Sequence, residues 1–298
     1  MLAFKKITLD DISILKLYLS DCDYDECDFA ITTLYIWKDY YLFNYTYCIC
    51  NNMLIIKSQS GNQISFLMPI GKNIYLKETL KILENYCENL NIKLTFSAVP
   101  KLGLDRLKNY YSNLTYNNYS DWFDYIYDIL DLKNLRGKKY SNKRNHINKF
   151  ITLYGSNYSY EPLSINNKDE VIQFLDNYKL KYEHDQMEFL EADNLHDILN
   201  NLSTFNVIGG ILKINNKVVA FTIGDILNKQ TLCIHVEKAL KEVEGAYTMI
   251  NYLFINHNYQ NNLKFINREE DMGLENLRFS KENYHPIKYL TKYSVQVN

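Results

Sequence analysis

The same order of secondary-structure elements occurs in both halves of this sequence, and few fold classes accommodate such a repeat. In each half, three strand-like runs are joined by short turns and are followed by a helical stripe and another strand. The runs lie at 42–49, 53–58, 64–68, 207–214, 218–227 and 231–237. Because strands joined by short turns pair antiparallel, each half is expected to form a mixed, mostly antiparallel sheet flanked by helices. The sequence therefore predicts the α/β (α+β) fold class, with two copies of one fold.

The length and composition of the chain agree with two domains. At 298 residues the chain exceeds what one typical hydrophobic core organises. Its hydrophobic fraction of 47% excludes a disordered chain and is sufficient to fill two cores. The boundary is expected near residues 150–165, which gives predicted domains of 1–155 and 156–298.

Charge and cysteine content exclude several classes of function and location. The formal net charge of −2 excludes a uniformly basic protein that coats nucleic acid, and no DNA partner is predicted. The six cysteines match no common zinc spacing, so no metal site is predicted. Asp10 and Asp11 interrupt the apolar start, and no run of about 18 apolar residues follows, so neither a secretory leader nor a membrane span is predicted. A cytoplasmic location with reduced cysteines is the resulting expectation.

A strongly basic stretch lies near the middle of the chain. Residues 133–149 include seven basic side chains and no acidic one. Lys138, Lys139, Lys143 and Arg144 are crowded within this stretch. Such a charge run is commonly the solvated face of an amphipathic helix, but unbroken cations repel one another and a phosphate-bearing partner would relieve that repulsion. Anionic lipid, the tRNA backbone and a nucleotide donor all offer this chemistry.

A second candidate anion site is the start of the helix that follows the last run of the second half. Gly245 and Ala246 stand there, where free backbone N–H groups and the absence of a bulky side chain favour an anion. The loop resembles the donor-pyrophosphate loop of GNAT acyltransferases, although their Q/R-x-x-G-x-G/A pattern is only partly matched by Glu242-x-x-Gly245-x-Tyr247. Glu242 and Glu244 would repel a pyrophosphate. An ordinary strand–loop–helix connection is the alternative interpretation.

The densest cluster of charged side chains follows an apolar strand near the end of the sequence. Asn267, Arg268, Glu269, Glu270 and Asp271 stand directly after this strand, a position that commonly faces a ligand crevice in α/β folds. One of the three carboxylates could deprotonate an attacking amine. A salt-bridged turn with a helix cap is the alternative.

Further candidates lie on the neighbouring elements. Arg278 and Lys281 are three residues apart on the next helical segment and therefore share a face. A guanidinium on that face can hold a phosphate or a carboxylate through two parallel hydrogen bonds. His235 stands on the strand before the glycine loop, where it is either a base or a packed or capped histidine.

Residues 131–150 and 267–286 together resemble the C-terminal-domain family of phosphatidylglycerol lysyltransferases. The first segment has the pattern DLxxLxGKKxxxKRNxIxxF, and the second has NxExDxGxxxLRxxKxxYxP. The resemblance implies two tandem GNAT-like acyltransferase domains, related to the Fem-type aminoacyltransferases that act on peptidoglycan precursors. It places the basic stretch and the late segment on a common cleft between the domains.

The resemblance also implies a reaction. An activated acyl group, with aminoacyl-tRNA as one donor, would be transferred to an amine or hydroxyl acceptor, and Glu269, Glu270 or Asp271 would be the catalytic base. The candidate phosphate ligands are Lys138, Lys139, Lys143, Arg144, Gly245, Ala246, Asn267, Arg268, Arg278 and Lys281. The expected partner is a phosphate-bearing small molecule, a lipid headgroup or charged tRNA, and no resident cofactor is expected.

Two other functions stay open at this level. One is an acyl-CoA-dependent N-acetyltransferase, for which acyl-CoA is the donor substrate. The other is a non-catalytic protein that binds anionic lipid or RNA through its basic stretch. Saturable binding of coenzyme A would favour the first, and binding to anionic vesicles without turnover of any acyl donor would favour the second.

Overall fold

The structure, a computed structural model, describes residues 2–20, 22–40, 42–182 and 186–298, with the backbone alone for 186–192. The chain divides into two units, Met1–Phe123 with Leu290–Asn298, and Asp124–Tyr289. Within the described residues, two mixed sheets of seven strands are present, each with helices beside it. The predicted α/β (α+β) class is thereby confirmed.

The first unit is built around the first of the two predicted strand runs. Its strands are β1 Lys5–Lys6, β2 Asn44–Cys50, β3 Met53–Ser60, β4 Gln63–Phe66, β5 Thr95–Val99, β6 Leu114–Asn118 and, near the end of the chain, β14 Tyr293–Val297. Its helices are α1 Ile12–Leu19, α2 Ile31–Ile36, α3 Leu76–Asn89 and α4 Lys101–Tyr110. The sheet order is β1-β2-β3-β4-β5-β14-β6, in which β4 and β5 pair in parallel.

The second unit repeats this scheme. Its strands are β7 Asp124–Asp128, β8 Tyr158–Pro162, β9 Ile208–Ile214, β10 Lys217–Asn228, β11 Thr231–Ala239, β12 Phe265–Asn267 and β13 Lys288–Leu290. Its helices are α5 Ile129–Asn134, α6 Ser141–Tyr154, α7 Lys168–Tyr182, α8 Gln186–Asn200, α9 Leu202–Phe205, α10 Ala246–Asn258 and α11 Glu275–Glu282. The sheet order is β13-β7-β12-β11-β10-β9-β8, in which β11 and β12 pair in parallel.

Paired asparagines form the corresponding hairpin turn in each unit. Asn51 and Asn52 join β2 to β3, and Asn215 and Asn216 join β9 to β10; all four have positive φ angles between 50° and 62°. A two-residue turn with both residues left-handed matches the twist of antiparallel strands, and asparagine tolerates this conformation. The local sequence therefore fixes the register of both hairpins.

The extents of the two units differ from the predicted ranges 1–155 and 156–298. Residues 124–155 belong to the second unit because β7 pairs antiparallel with β12 and α6 packs against α10. Conversely, β14 lies between β5 and β6 in the first sheet. These pairings join segments far apart in the sequence, which a linear boundary does not capture. That residues 1–155 and 156–298 form two separately folding domains stays a prediction.

The core of the second unit holds α10 against its sheet and against α6. Tyr127 from β7, Phe150 from α6 and Phe254 from α10 are fully buried in one hydrophobic cluster. Each such side chain contributes roughly 1.5–3 kcal/mol through burial. This packing fixes the positions from which α6, β11 and β12 present their polar side chains. In the part of the chain that the structure describes, no helix has both the length and the apolar character needed to span a bilayer.

Candidate functional site

The parallel strands β11 and β12 separate soon after they begin to pair. They are in register only from Thr231 opposite Phe265 to Cys233 opposite Asn267, whereas β11 continues to Ala239. The chain after β12 stays with β7 instead, since Arg268 N–H donates to Tyr125 O and Tyr125 N–H donates to Glu269 O. We call the opening between residues 234–239 and 268–271 the β11–β12 fork. Sites of this kind collect polar side chains at the ends of strands.

A buried histidine lies in the fork. His235 is the extra residue of a β-bulge, because Gly224 of β10 pairs with Ile234 and Ile223 pairs with Val236. The imidazole is fully buried, with Nδ1 2.8 Å from Glu269 Oε1 and Nε2 3.1 Å from Asp225 Oδ2. The bulge therefore positions one imidazole between two carboxylates.

The pKa values of the groups in this cluster are shifted from their usual ranges. Burial raises the pKa of Glu269 above its usual range, although the hydrogen bond from His235 opposes the shift. Burial disfavours a charged His235, but the acidic groups Cys233 and Asp225 outweigh it and raise the pKa of the imidazole. Burial also raises the pKa of Cys233 to about 12, so this thiol is neutral near pH 7. Burial therefore makes Glu269 a stronger base than an exposed glutamate.

The same atoms fit a hydrogen-bonded cluster better than a metal centre. Cys233 Sγ, a ring nitrogen of His235 and a carboxylate oxygen of Glu269 all lie within 4.8 Å of one another, which makes them conceivable metal ligands. Nitrogen and oxygen ligands on a tetrahedral zinc ion lie about 3.3 Å apart, given metal–ligand bonds of about 2.0–2.2 Å. The 2.8 Å separation between His235 and Glu269 is that of a direct hydrogen bond.

The backbone of Glu269 is held in a strained conformation. Its φ angle is +57°, which is uncommon for a residue with a side chain. The Glu269 N–H donates to Asn267 Oδ1 at 2.7 Å, and Asn267 Nδ2 donates to Asp124 Oδ2 at 2.8 Å. Asn267 is fully buried and supports the loop through these contacts. Strain that surrounding contacts maintain at a polar cluster commonly marks a functional position.

Asp271 and Arg278 form a supporting ion pair. Arg278 Nε and Nη2 each donate to one Asp271 oxygen at 2.8 Å, and Tyr125 Oη donates to the same carboxylate at 2.5 Å. The Gly273 N–H adds a further bond at 2.8 Å. Asp271 is fully buried; burial tends to raise its pKa, but the donors from Arg278 and Tyr125 outweigh burial and lower it. The carboxylate is therefore ionised and already saturated with donors.

Lys281 is likewise used to hold the loop. Its buried ammonium donates to Arg268 O at 2.5 Å and also to Glu270 O. Glu270 is half-buried at the edge of the same loop. The roles predicted for Glu270 and Asp271 as bases, and for Asn267, Arg278 and Lys281 as phosphate ligands, stay predictions.

Arg268 and Lys143 meet at one aromatic ring. The Arg268 guanidinium carbon lies 4.5 Å from the ring centroid of Tyr284, and Lys143 Nζ lies 3.5 Å from it. Arg268 Nη2 is 3.2 Å from Glu237 Oε1, and Asn251 Nδ2 donates to Glu237 Oε2 at 2.8 Å. Burial first, and then the charge of Arg268, lowers the pKa of Lys143 to about 8. The structure thus brings the basic stretch and the late segment together at this point.

The other cations of the basic stretch have partners of their own or are exposed. Lys139 Nζ lies 2.7 Å from Asp131 Oδ2, and Arg144 donates to the carbonyl groups of Leu135 and Gly137. Lys138 is exposed on the turn before α6. Local acidic and carbonyl groups therefore relieve part of the repulsion that the sequence indicated.

Gly245 is required by packing between helices. Its φ angle is +79°, and a Cβ atom there would lie 2.6 Å from His146 O of α6. The Ala246 N–H donates to Val243 O, and Glu244 pairs with Lys149 at 2.5 Å. Glu242 contacts Lys181 and Tyr182. The binding role predicted for Gly245 and Ala246 stays a prediction.

Several residues of the fork carry no strong signal in the sequence. Glu237 and Asp225 are isolated acidic residues within apolar strands, and Asn251 lies inside α10. An acidic residue in a buried strand is a weak signal, because burial of an unpaired charge is costly and implies a partner. Tyr284 belongs to the late motif, but its contacts with both cations required the fold.

Comparison with known proteins identifies a family. The family model described as phosphatidylglycerol lysyltransferase, C-terminal, matches residues 21–296. A conserved protein of unknown function from Bacteroides thetaiotaomicron has a solved structure that is 31% identical, with a TM-score of 0.88 and full coverage of both chains. The structure of L-PGS from Bacillus licheniformis is 16% identical, with a TM-score of 0.64, and the alignment covers 95% of this chain and 91% of that one.

More distant structures share the fold. A tandem GNAT protein from the clavulanic acid biosynthesis pathway has a TM-score of 0.51 at 6% identity, covering 100% and 99% of the two chains. FemX has a TM-score of 0.56 at 8% identity, covering 99% and 97%. An uncharacterised protein of Mycoplasmoides gallisepticum is 25% identical over 186 residues, and the match spans only 56% of that relative's length. The predicted tandem GNAT-like fold, which FemX shares, is confirmed.

Proposed function

Because this chain belongs to the phosphatidylglycerol lysyltransferase C-terminal family, we propose that it transfers an activated aminoacyl group to an amine or hydroxyl acceptor at the β11–β12 fork. The observation that carries the proposal is the buried contact of 2.8 Å between His235 and Glu269. The similarity to L-PGS and to FemX supports an aminoacyl donor.

Glu269 is the proposed general base. An ester donor is already activated, so the site must orient it and remove a proton from the attacking nucleophile. As the nucleophile forms its bond to the donor carbonyl, its proton passes to the Glu269 carboxylate. The ester C–O bond then breaks, and the donor alcohol leaves with the proton that Glu269 returns to it. His235, held by Asp225 on its other nitrogen, orients the Glu269 carboxylate through their contact of 2.8 Å.

The loop before α10 favours an aminoacyl ester over acyl-CoA as the donor. A pyrophosphate would have to approach Glu242 and Glu244, which stand in this loop and already engage the cations Lys181 and Lys149. The Ala246 N–H is engaged by Val243 O rather than directed at a ligand. Like charges at a phosphate site oppose binding.

The test is a transfer assay with lysyl-tRNA as donor, and with phosphatidylglycerol vesicles or a panel of free amino acids as acceptors. Acetyl-CoA serves as the competing donor. We expect transfer from lysyl-tRNA, and we expect Glu269→Gln to lower kcat by about 10²–10⁴-fold, because it removes the base while keeping the shape of the side chain. The rising limb of the pH–rate profile should lie above the ordinary glutamate range, because the pKa of Glu269 is raised by burial.

Glu244→Gln is the matched control, since it removes one exposed carboxylate that pairs with Lys149. Its kcat should equal that of the unaltered protein. Turnover of acetyl-CoA in place of lysyl-tRNA would overturn the proposed donor. Full activity of Glu269→Gln would overturn the proposed base.

A further inference from the structure

The cluster around Tyr284 carries one uncompensated positive charge. Arg268 and Lys143 both lie against this ring, at 4.5 and 3.5 Å from its centroid. Glu237 is the carboxylate that acts on both cations, through its contact of 3.2 Å with Arg268 and through its charge on Lys143. Both Glu237 oxygens are engaged, one by Arg268 and the other by Asn251. Two cations therefore share one carboxylate.

Arg268 also has a donor group for which the described residues offer no acceptor. Its side chain is only 9% exposed, yet Nη1 is buried without a hydrogen-bond partner among the residues that the structure describes. Buried polar groups are almost always paired, and an unpaired group on a charged side chain is especially costly. Such a group in a native protein calls for an explanation, and a ligand acceptor supplies one.

The charge and burial of the cluster select the class of ligand. A monoanion neutralises one excess positive charge, whereas a terminal phosphate carries nearly two negative charges at pH 7 and would overcompensate it. A phosphodiester has substituents on both sides, and both would have to enter a site whose arginine is nine-tenths buried. A carboxylate is a monoanion at the end of a molecule, and its planar geometry matches a guanidinium.

We propose that Arg268 and Lys143 bind a terminal carboxylate of the acceptor substrate beside the fork. The assignment to the acceptor rests on the proposed function: the donor's own α-carboxyl group is esterified, so a free α-carboxylate belongs to the molecule that receives the aminoacyl group. Arg268 directly precedes the proposed base Glu269, and their partners Glu237 and His235 are two residues apart on β11, so both sites belong to the β11–β12 fork. The acceptor is thus an amine that also carries a carboxylate, such as a free amino acid or a peptide.

The carboxylate site can be tested without catalysis. Binding of ¹³C-labelled acetate and glycine to the full chain is followed by NMR relaxation at constant ionic strength, with inorganic phosphate as a competitor. We expect saturable binding of both carboxylates, which Lys143→Met weakens by about tenfold or more because it removes one charged partner. Lys149→Gln is the matched control: it removes a cation of the same stretch that pairs with Glu244, and binding should be unchanged.

Arg268→Lys is a second variant, which keeps a positive charge beside Glu237 but loses the unpaired Nη1. Should this variant fail to fold, Lys143→Met still decides the test because it leaves the Arg268–Glu237 pair in place. Equal carboxylate binding by Lys143→Met, or displacement of acetate by far lower concentrations of phosphate, would overturn the proposal. A protein that binds carboxylates but does not turn over lysyl-tRNA would support the carboxylate site and overturn the proposed reaction. A protein that turns over lysyl-tRNA but does not bind carboxylates would support the reaction and overturn the site.

Discussion

Replacement of Lys143 by methionine should stabilise the protein. In the folded state the pKa of Lys143 is lowered from 10.5 to about 8, first by burial and then by the charge of Arg268, with Glu237 opposing the shift. The folded state therefore disfavours the ammonium form that the unfolded chain holds freely. Methionine has a similar length and carries no charge, so Lys143→Met removes this penalty.

The pKa shift gives the size of the effect. Each pKa unit corresponds to about 1.36 kcal/mol, so the shift to about 8 represents a penalty of about 3 kcal/mol near pH 7. The cation–π contact with Tyr284, at 3.5 Å, is lost in the variant and offsets about 0.5–2 kcal/mol. The expected net gain in the free energy of unfolding is about 1–2.5 kcal/mol. A cavity-filling or helix-propensity explanation would predict no pH dependence.

Urea unfolding at two pH values measures both the gain and its origin. The unfolded chain binds more protons than the folded chain between the folded pKa of about 8 and the ordinary value of 10.5. The stability of the unaltered protein relative to Lys143→Met therefore rises over this window, and the gap should be clearly smaller at pH 9.5 than at pH 7. A variant that is less stable at pH 7, or a gap that does not change with pH, would refute this account of Lys143.

Two other substitutions test the support of the site. Arg278→Ala should lower the free energy of unfolding by about 2–3 kcal/mol at pH 7, because it leaves the buried Asp271 carboxylate without its bidentate partner. The lowered pKa of Asp271 stabilises the folded protein at pH values above the ordinary aspartate range, and this stabilisation is lost as the pH falls through the pKa of the folded state. Urea unfolding curves of Arg278→Ala and the unaltered protein should therefore converge in strong acid. A difference in stability that stays constant with pH would contradict this account. Gly245→Ala should cost about 1–3 kcal/mol, since a Cβ atom would lie 2.6 Å from His146 O at a φ angle of +79°, and an unchanged melting temperature would show that the α6–α10 contact is not tight.

A more stable Lys143→Met protein that no longer binds carboxylates would have a functional meaning. Residues that bind ligands are often retained at a cost in stability, because the isolated protein must bury charges that the ligand later neutralises. Loss of binding accompanied by a gain in stability cannot result from partial unfolding. Together the two measurements therefore separate a binding role of Lys143 from a structural one.

Much of the fold follows from local sequence. The asparagine pairs at 51–52 and 215–216 fix two hairpins by their tolerance of positive φ angles, and alternating apolar residues define the strands that these turns join. Apolar residues at helical spacing likewise indicate α3 and α10. The basic stretch and the late charged segment also stand out as clusters, and both lie in the unit that contains the fork.

Sequence reasoning could not assign individual roles within those clusters. In the sequence Asp271, Arg278 and Lys281 form a candidate reactive set, and in the structure each also makes contacts that support the loop. Charge alone does not distinguish a carboxylate that holds an arginine from one that awaits a substrate. Only the partners within hydrogen-bonding distance make that distinction.

The sequence by itself determined the fold class, the two-fold repeat of elements and the family, because turn chemistry, periodicity and motif spacing are properties of neighbouring residues. The tertiary structure alone decided that a β-bulge places His235 between Asp225 and Glu269, and that Tyr284 lies against both Lys143 and Arg268. The contact between His235 and Glu269 joins residues 34 positions apart, across the opening where β11 and β12 diverge. Acidity and binding depend on such distances, and no local pattern encodes them.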